Sequence, residues 1–208
     1  MKINLTQNKN FKLFKIISKV AQENNQTVYI VGGYVRDLLM QRKAPTDIDF
    51  VTEQSGIELA KAVGKELGDL KVSVFKTYGT AMIKYQDLDL EFVGARKESY
   101  SEDSRKPAVE TGTLEDDQKR RDFTVNALAI SLNSENFGEL IDPFNGREDM
   151  QNKILRTPLE PAQTYSDDPL RMMRDIRFAS VLHCEIEKNS LEAIKQEAER
   201  VKIVSMER

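Results

Sequence analysis

The spacing of apolar residues divides the first half of the chain into alternating helices and strands. Apolar residues recur every three or four positions over about residues 9–24, which predicts an amphipathic helix. Short runs that are β-branched, or that alternate polar with apolar, predict strands because successive strand side chains point to opposite faces. The predicted strands are 28–31, 47–51, 72–75, 80–85 and 87–93, and the predicted helices between them are 34–40 and 57–67.

The second half of the chain is predicted to be mostly helical. Residues 97–113 are polar, with little apolar periodicity, and predict a flexible surface loop. The string from Thr113 to Asp116 fits a capping box and predicts a helix that carries residues 120–130. A turn is predicted at 142–146, followed by helices over 167–182 and 190–206. An α/β head followed by an all-helical continuation is the simplest organisation.

The composition limits the chemistry that these elements can carry. The 208 residues include one His, one Cys and no Trp, so His183 and Cys184 cannot supply four ligands to a structural zinc ion. No disulfide can form within the chain, which favours a reducing compartment. No apolar run approaches the ~18 residues of a membrane span. We therefore expect a soluble, cytoplasmic protein with no membrane partner, whose chemistry rests on carboxylates, arginines and lysines.

The net charge of −3 gives no global basic field, but it does not exclude RNA, because phosphate contacts depend on local basic clusters. Gly32 and Gly33 join a predicted strand to a predicted helix that carries Arg36. Glycines allow close approach of a ligand, and the helix amides and Arg36 could face a phosphate. Taken alone, the Gly-Gly pair favours a plain β-to-α turn over a phosphate site.

Asp47 and Asp49 lie two positions apart in a predicted strand and therefore share a face. Two such carboxylates repel each other unless a cation lies between them, and their oxygens suit Mg²⁺. A solvated edge-strand face is the alternative, but the nearby Arg36 favours a metal site. Glu91, on a later strand, could supply a third carboxylate.

Two arginine-rich segments follow. Residues 120–127 form either a basic helical face over a small core or a phosphate contact. In the second segment Asp168 is the predicted N-cap and Pro169 the first helical residue. Three arginines spaced every third residue are predicted to lie along one side of that helix, and the apolar residues between them to face the core; these are Arg171, Arg174 and Arg177, and Leu170, Met173 and Ile176.

The strings GGYVRD, DIDF, RRDFTVNALA and SDDPLRMMRDIRFA occur in this order between about residues 28 and 179. Together they resemble the class II tRNA nucleotidyltransferases (CCA-adding enzymes) and the related bacterial poly(A) polymerases. The resemblance implies an α+β fold: a polymerase-β-like nucleotidyltransferase head with a mixed sheet and helices, followed by the start of an all-helical neck. It places the head at 1–158 and a truncated neck at 159–208. Such enzymes continue into further domains that hold tRNA, so we expect a fragment.

The resemblance also implies roles for individual residues. Asp47 and Asp49 match positions that are catalytic and bind Mg²⁺. The nucleotide-binding positions match Gly33 and Arg36 at the triphosphate, Arg121, Arg174 and Arg177 elsewhere on the nucleotide, and Asp168 and Arg171 at the base. Family members commonly carry Glu where this chain has Asp167, so the role of Asp167 is left open.

The implied reaction is Mg²⁺-dependent, template-independent transfer of CMP and AMP from CTP and ATP to the 3′ end of tRNA. Asp accepts hydrogen bonds and Arg donates them, so an Asp168–Arg171 pair suits the edges of C and A and rejects those of U and G. A bacterial poly(A) polymerase, an enzyme that adds A only, and a non-catalytic RNA-binding module on the same fold remain alternatives. The sequence gives no oligomeric state.

Overall fold

The protein is described by a computed structural model that covers residues 1–43, 45–101 and 104–204. A mixed sheet forms its centre. The strands of this sheet are β1 (Tyr29–Val31), β2 (Asp47–Thr52), β3 (Val72–Phe75), β4 (Thr80–Tyr85), β5 (Leu88–Gly94), β8 (Ala129–Ser131) and β9 (Leu140–Ile141). Their order is β3-β4-β5-β2-β1-β8-β9, in which β2 and β5 run parallel and the other neighbours antiparallel.

Four further strands form two separate two-stranded sheets, and eight helices complete the described part of the chain. The outlying strands are β6 (Arg96–Ser101) with β7 (Ser104–Thr111), and β10 (Ile154–Leu155) with β11 (Glu185–Ile186). The helices are α1 (Phe11–Glu23), α2 (Gly33–Leu39), α3 (Gly56–Glu66), α4 (Leu114–Lys119), α5 (Gly146–Asn152), α6 (Pro161–Asp167), α7 (Leu170–Leu182) and α8 (Lys188–Glu197), with 3₁₀ turns at Lys76–Tyr78, Thr124–Asn126 and Ala198–Ile203. Within the described ranges, every helix falls short of the length and apolarity that crossing a bilayer requires.

The two faces of the central sheet differ in character. One face is covered by α1, α2 and α3 and holds the main core, where Phe14 packs on Phe50 and Phe50 stacks on Phe92 with ring centroids 5.0 Å apart. The opposite face carries a small apolar cluster around Val31 and Val51. Because strand side chains alternate, Asp49 lies between these apolar positions on the second face. This thinly covered face leaves room for a site.

The elements predicted for residues 9–93 are confirmed to within a few residues at their ends. The prediction of a flexible loop at 97–113 is wrong for the described backbone, because β6 and β7 pair there as an antiparallel hairpin with a shift in register between Ser99 and Ser101. The sequence of this hairpin is mostly polar. It therefore lacks the alternation of apolar and polar residues by which a strand that packs on a core can be predicted.

The helix predicted over residues 120–130 is also wrong. The capping box at Thr113 and Asp116 is confirmed, but α4 ends at Lys119. The chain then forms the 3₁₀ turn Thr124–Asn126 and enters β8, the neighbour of β1. Pairing with β1 fixes Ala129–Ser131 as extended chain, and this long-range constraint overrides the local helical spacing there.

The remainder of the chain is helical as predicted, with additions. The turn at 142–146 is confirmed, since the carboxylate of Asp142 accepts hydrogen bonds from the backbone of Gly146 and Arg147. Helices α5 and α6 and the β10–β11 pair were not predicted. The final predicted helix is α8 followed by a 3₁₀ turn, and its predicted end at Met206 lies outside the described residues.

Helix α7 presents a different face to the core from the one predicted. Met173 and Ile176 are 51 % and 56 % exposed, whereas Met172 and Asp175 are buried. Two packing partners set this orientation: one side of α7 meets Phe123 and Leu155, and the other meets α6 and α8. The apolar spacing in the sequence fits both orientations, so only these partners decide between them.

Candidate active site

The candidate site is built on β2 and β5, the parallel pair at the middle of the sheet. Asp47 begins β2 and is exposed, while Asp49 is partly buried. Ile48 and Phe50 between and beyond them are fully buried on the other face, as the alternation predicted. In the parallel register Asp49 lies opposite Glu91. Glu91, which the sequence indicated only as a possible third carboxylate, therefore lies beside Asp49 on the same face of the sheet.

The electrostatics of these carboxylates disfavour negative charge. Burial raises the pKa of Asp49, and repulsion from Asp47 adds to this effect while Arg121 opposes it. Burial likewise raises the pKa of Glu91, with repulsion from Asp49 as the next cause. Carboxylates that are crowded in this way gain stability from a cation or a cationic side chain.

The Gly-Gly turn lies directly against this site. Gly32 has φ +71° and ψ −137°, a conformation that favours glycine. A Cβ atom added at Gly32 would lie 2.9 Å from Nη1 of Arg121 and 3.6 Å from Oδ2 of Asp49. At Gly33 an added Cβ would lie 3.6 Å from Nη2 of Arg36. Gly32 therefore leaves space between Arg121 and Asp49 that a side chain would fill, whereas Gly33 lies against Arg36.

Arg121 is held at the site by Asp117, a residue that the sequence analysis did not single out. Its Nε and Nη2 donate to Oδ2 of Asp117 at 3.0 and 2.9 Å, and Arg120 donates to Oδ1 of the same carboxylate. Asp117 is fully buried, which would raise its pKa, but Arg121 and Arg120 lower it. Burial disfavours charge on Arg121, yet Asp117 and Asp49 raise its pKa. Arg121 thus stays cationic beside the carboxylates.

Arg36 occupies a buried position close to the Gly-Gly turn. It is 9 % exposed, and its Nε and Nη2 donate to the carboxylate of Asp37 at 2.9 and 3.0 Å. Its Nη1 donates to Oδ1 of Asn126 at 2.7 Å, and its guanidinium lies 5.2 Å from the centroid of the Phe178 ring. These hydrogen bonds use three of the five N–H groups of the guanidinium, so a phosphate contact through the second N–H of Nη1 or Nη2 displaces none of these partners.

The predicted base-reading and nucleotide-binding residues on α7 meet the segment that follows α4. Arg174 donates from Nε to Oδ2 of Asp122 at 2.7 Å. Arg171 donates from Nη2 to the backbone oxygen of Arg120 at 2.6 Å. These contacts bring Arg171 and Arg174 to the same segment as Arg121, which the sequence places far from them.

Asp168 caps α7 from a position slightly different from the one predicted. Its Oδ1 accepts a hydrogen bond from the backbone of Leu170 at 3.1 Å, but Pro169 occupies the N-cap position and Asp168 ends α6. Arg177 is exposed, and its guanidinium lies 4.7 Å from the Phe178 ring centroid. Asp167, whose role was left open, accepts a hydrogen bond from Gln163 at 2.6 Å within α6.

An open pocket joins the carboxylates to the arginines. Its lining combines two acidic and three basic side chains with Thr80 and two valines; the charged residues are Asp49, Glu91, Arg96, Arg120 and Arg121. Within the described ranges, no three His, Cys, Asp or Glu side chains come together as a ready-made metal site. Mg²⁺ is typically held by one or two carboxylates with substrate phosphates and water, and the Asp47–Asp49 pair fits that donor set.

Sequence reasoning missed the residues that hold the arginines in place. Asp117, Asn126 and Asp122 bind Arg121, Arg36 and Arg174 respectively. For Asp117 a signal exists, since it precedes Arg120 and Arg121 by three and four positions, the spacing of ion pairs on a helix. Asn126 and Asp122 pair with residues on other elements, and no local pattern in the sequence reveals such contacts.

Comparison with known proteins adds a second line of observation. Residues 28–156 match the family model of the poly A polymerase head domain. The chain is 43 % identical over 168 residues to the A-adding tRNA nucleotidyltransferase of Aquifex aeolicus, covering 81 % of the chain and 20 % of the relative. It is 39 % identical over 182 residues to the CCA-adding enzyme of Lactobacillus helveticus, covering 86 % of the chain and 43 % of the relative.

A solved structure shares the fold. The crystal structure of a tRNA nucleotidyltransferase complexed with a primer tRNA and an incoming ATP analog superposes with a TM-score of 0.77 at 37 % identity, covering 88 % of this chain and 50 % of that one. At this level of identity the mixed-sheet fold of the two proteins is the same. The chain spans less than half the length of the two curated relatives.

Proposed function

Because the chain belongs to the poly A polymerase head domain family, we propose that it is the nucleotidyltransferase part of an enzyme that adds CMP and AMP to the 3′ end of tRNA. The transfer needs no nucleic-acid template and releases pyrophosphate from CTP or ATP. The observation that carries the proposal is the placement of Asp49 and Glu91 opposite each other, with Arg121 beside Asp49 behind the Gly-Gly turn. Relatives that carry tRNA nucleotidyltransferase names support it.

Asp47 and Asp49 are the proposed catalytic carboxylates. They would hold Mg²⁺, which when bound supplies positive charge to the attacking hydroxyl and to the leaving pyrophosphate. The raised pKa of Asp49 supports this assignment, because a carboxylate that is poorly stabilised by the protein alone gains most from an added cation. Glu91 is proposed to add negative charge to the same site from β5.

Arg121 and Arg36 are the proposed contacts to the nucleotide from the mixed-sheet part of the chain. Arg121 lies beside Asp49, so it can balance phosphate charge where the reaction takes place. Gly33 lies directly against Arg36, since a Cβ atom there would be in van der Waals contact with the guanidinium. Arg174 and Arg177 are proposed to contact the nucleotide from α7.

Asp168 and Arg171 are the proposed readers of the base. Asp168 would accept a hydrogen bond from the amino group of C or A, and Arg171 would donate to the ring nitrogen beside it. The hydrogen bond from Arg171 to the backbone of Arg120 supports this role by placing its guanidinium close to Arg121. An unpaired polar group at a buried base edge costs roughly 1–3 kcal/mol, enough to reject U and G usefully.

The base-reading model is tested by titrating the protein with each of the four nucleoside triphosphates in the presence of Mg²⁺. We expect CTP and ATP to bind about tenfold or more tightly than UTP and GTP. An Arg171→Lys variant keeps the charge but loses the planar pair of donors, so it should lose much of this discrimination. Equal affinity for all four nucleotides in the unaltered protein would refute the model.

The activity itself is tested with the full-length protein, CTP, ATP and two tRNA substrates, one that lacks its terminal CCA and one that ends in CC. Sequencing of the added nucleotides should show CCA on the first substrate and a single A on the second. Long tails of A without C would instead show a poly(A) polymerase. Loss of the product in an Asp47→Asn variant would assign the transfer to this site, with Asp87→Asn, an exposed aspartate in the β4–β5 turn, as the matched control.

An enzyme that adds A only is the second candidate. The specific observation in its favour is that the relative from Aquifex aeolicus, 43 % identical, carries that activity in its name. The two tRNA substrates separate the candidates, because an A-adding enzyme would extend the tRNA that ends in CC and leave the other unchanged.

A further inference from the structure

Phe178 on α7 lies among three guanidinium groups that come from two separate parts of the fold. The guanidinium carbon lies 5.2 Å from the ring centroid for Arg36, 5.2 Å for Arg174 and 4.7 Å for Arg177. Arg36 belongs to α2, beside the Gly-Gly turn, whereas Arg174 and Arg177 belong to α7. One aromatic ring therefore links the arginines of the mixed-sheet part to those of the helical continuation.

The ring itself is fixed from the other direction. Phe123, which is fully buried, meets Phe178 edge to face with ring centroids 5.7 Å apart and an interplanar angle of 76°. Phe123 precedes the 3₁₀ turn Thr124–Asn126, and Asn126 accepts a hydrogen bond from Arg36. The same short segment thus holds both the ring and one of the cations packed against it.

Three cations gathered in one place repel one another, and only part of this repulsion is offset by carboxylates. Asp37 pairs with Arg36, and Asp122 pairs with Arg174. The face of an aromatic ring carries negative charge density and attracts a guanidinium within about 6 Å, by about 0.5–1 kcal/mol at exposed sites and more where water is excluded. Phe178 supplies this attraction to all three arginines without adding a negative charge that would compete with a phosphate.

We propose that Phe178 is a positioning residue that holds Arg36, Arg174 and Arg177 together as one cationic array for the polyphosphate of the incoming nucleotide. The inference rests on the proposed function, since it takes a nucleoside triphosphate as the ligand. Phe178 acts through the arginines: the π face of its ring keeps guanidinium groups from α2 and α7 within 5.2 Å of its centroid. Loss of that π face should lower nucleotide affinity while the fold is kept.

The test varies the charge of the ring face and keeps its size. Phe178 is replaced by phenylalanine analogues with one to four ring fluorines, each of which withdraws electron density and weakens the attraction for a cation. ATP binding is measured by calorimetry and folding by thermal denaturation. We expect the Kd for ATP to rise stepwise with fluorine number, by about tenfold over the series, with melting temperature nearly constant. Phe178→Tyr should keep the affinity and Phe178→Leu should lose it.

Phe137 provides a matched control, because Lys15 lies 4.8 Å from its ring centroid and Phe11 meets it edge to face at 6.3 Å. The same analogues at Phe137 should leave ATP affinity unchanged. A flat series at Phe178, or an equal effect at Phe137, would overturn the inference. Binding is measured separately from transfer. If the protein binds ATP and transfers nucleotides but shows a flat series, only the positioning role of Phe178 is refuted. If the unaltered protein does not bind ATP, the proposed function is refuted as well.

Discussion

At the scale of single residues, the site places negative charge where the protein stabilises it poorly. Asp49 is flanked by Asp47 on its own strand and by Glu91 on β5, and burial raises the pKa of both Asp49 and Glu91. Arg121 opposes part of this repulsion, but two of its five N–H donors already bind Asp117. The carboxylates are thus arranged for a cationic ligand and at some cost to the stability of the fold.

Replacing Asp49 with Asn should therefore separate activity from stability. We expect nucleotide transfer to fall by about 100-fold or more, since even indirect partners of a metal ligand are worth 10–100-fold. We expect the melting temperature in the absence of Mg²⁺ to rise, because the variant removes a buried and repelled charge. MgCl₂ should raise the melting temperature of the unaltered protein and not that of the variant. An Asp49→Asn protein that transfers nucleotides at the normal rate would remove the metal assignment.

Asp175 is a further carboxylate whose pKa is raised. It is fully buried on α7 and accepts a hydrogen bond from the hydroxyl of Tyr165 at 2.5 Å. Burial raises the pKa of Asp175 to about 6, although the hydrogen bond from Tyr165 opposes this rise and repulsion from Asp122 adds to it. Between the unfolded pKa of about 3.8 and the folded pKa of about 6, Asp175 is therefore protonated in the folded state and ionised in the unfolded chain.

This shift fixes the direction of a pH effect on stability. The contribution of Asp175 is fully present below the unfolded pKa of about 3.8 and is lost as the pH rises through about 6, a change on the order of 2–3 kcal/mol. Asp175→Asn keeps an acceptor for Tyr165 and removes the titration. In urea unfolding we expect it to gain stability over the unaltered protein at pH 7.5 and not at pH 4.5. A constant difference at both values would contradict the assignment.

At the scale of elements, the segment between α4 and β8 shows what local pattern can and cannot reveal. The capping box at Thr113 predicts the start of α4, because it satisfies helix amides with neighbouring side chains. The end of α4 has no such local signal. It is set by the pairing of β8 with β1, and by Thr124, whose backbone donates to the carbonyl of Arg156 at 2.8 Å.

Gly146 at the start of α5 packs directly against the 3₁₀ turn Thr124–Asn126. A Cβ atom there would lie 2.2 Å from the backbone oxygen of Thr124, so Gly146→Ala must displace the turn that carries Asn126. We expect a loss of about 3 kcal/mol in the free energy of unfolding, as for overpacked positions, and a weaker affinity for ATP through Arg36. Urea denaturation and calorimetry measure the two effects. Gln151→Ala on the exposed side of α5 is the control and should change neither.

The sequence predicts those parts of the fold whose signals are local. Strand β2 is readable because alternation places Ile48 and Phe50 inward and the aspartates outward. The site carboxylates and Arg121 follow from their motifs. The partners Asn126 and Asp122, the buried face of α7 and the short β10–β11 pair depend on contacts between distant segments. Patterns along the chain carry no record of such contacts, so these features required the structure.

At the scale of the whole molecule, the predicted boundary between 158 and 159 is crossed by several contacts. β10 on one side pairs with β11 on the other, and Leu155 packs in one cluster with Leu182. The ion pair between Arg174 and Asp122 crosses the boundary as well. The mixed-sheet part and the helical part therefore share a core, although the boundary itself stays a prediction.

Ending the chain at residue 158 should consequently destabilise what remains. The truncation exposes Phe123 and Leu155, and buried contacts of this kind cost about 2–5 kcal/mol each when they are removed. We expect the free energy of unfolding of a chain of residues 1–158 to be lower by on the order of 5 kcal/mol. This chain should therefore unfold at a lower urea concentration. A chain of residues 1–187, which keeps α7 and β11, should lie closer to the unaltered protein. Equal stability of all three would show that the two parts fold independently.

The base of the β6–β7 hairpin is hydrogen-bonded to the end of β2. The backbone N–H of Ala95 donates to the carbonyl of Thr52 at 2.6 Å, and the backbone N–H of Gly112 donates to the carbonyl of Ala95 at 3.0 Å. These two bonds tie both ends of the hairpin to the end of β2. The backbone of Leu114 adds a third attachment to the side chain of Glu53 at 2.9 Å. The hairpin is therefore anchored on β2 at the opposite end from Asp47 and Asp49, so the strand that carries the site carboxylates also carries the base of the hairpin.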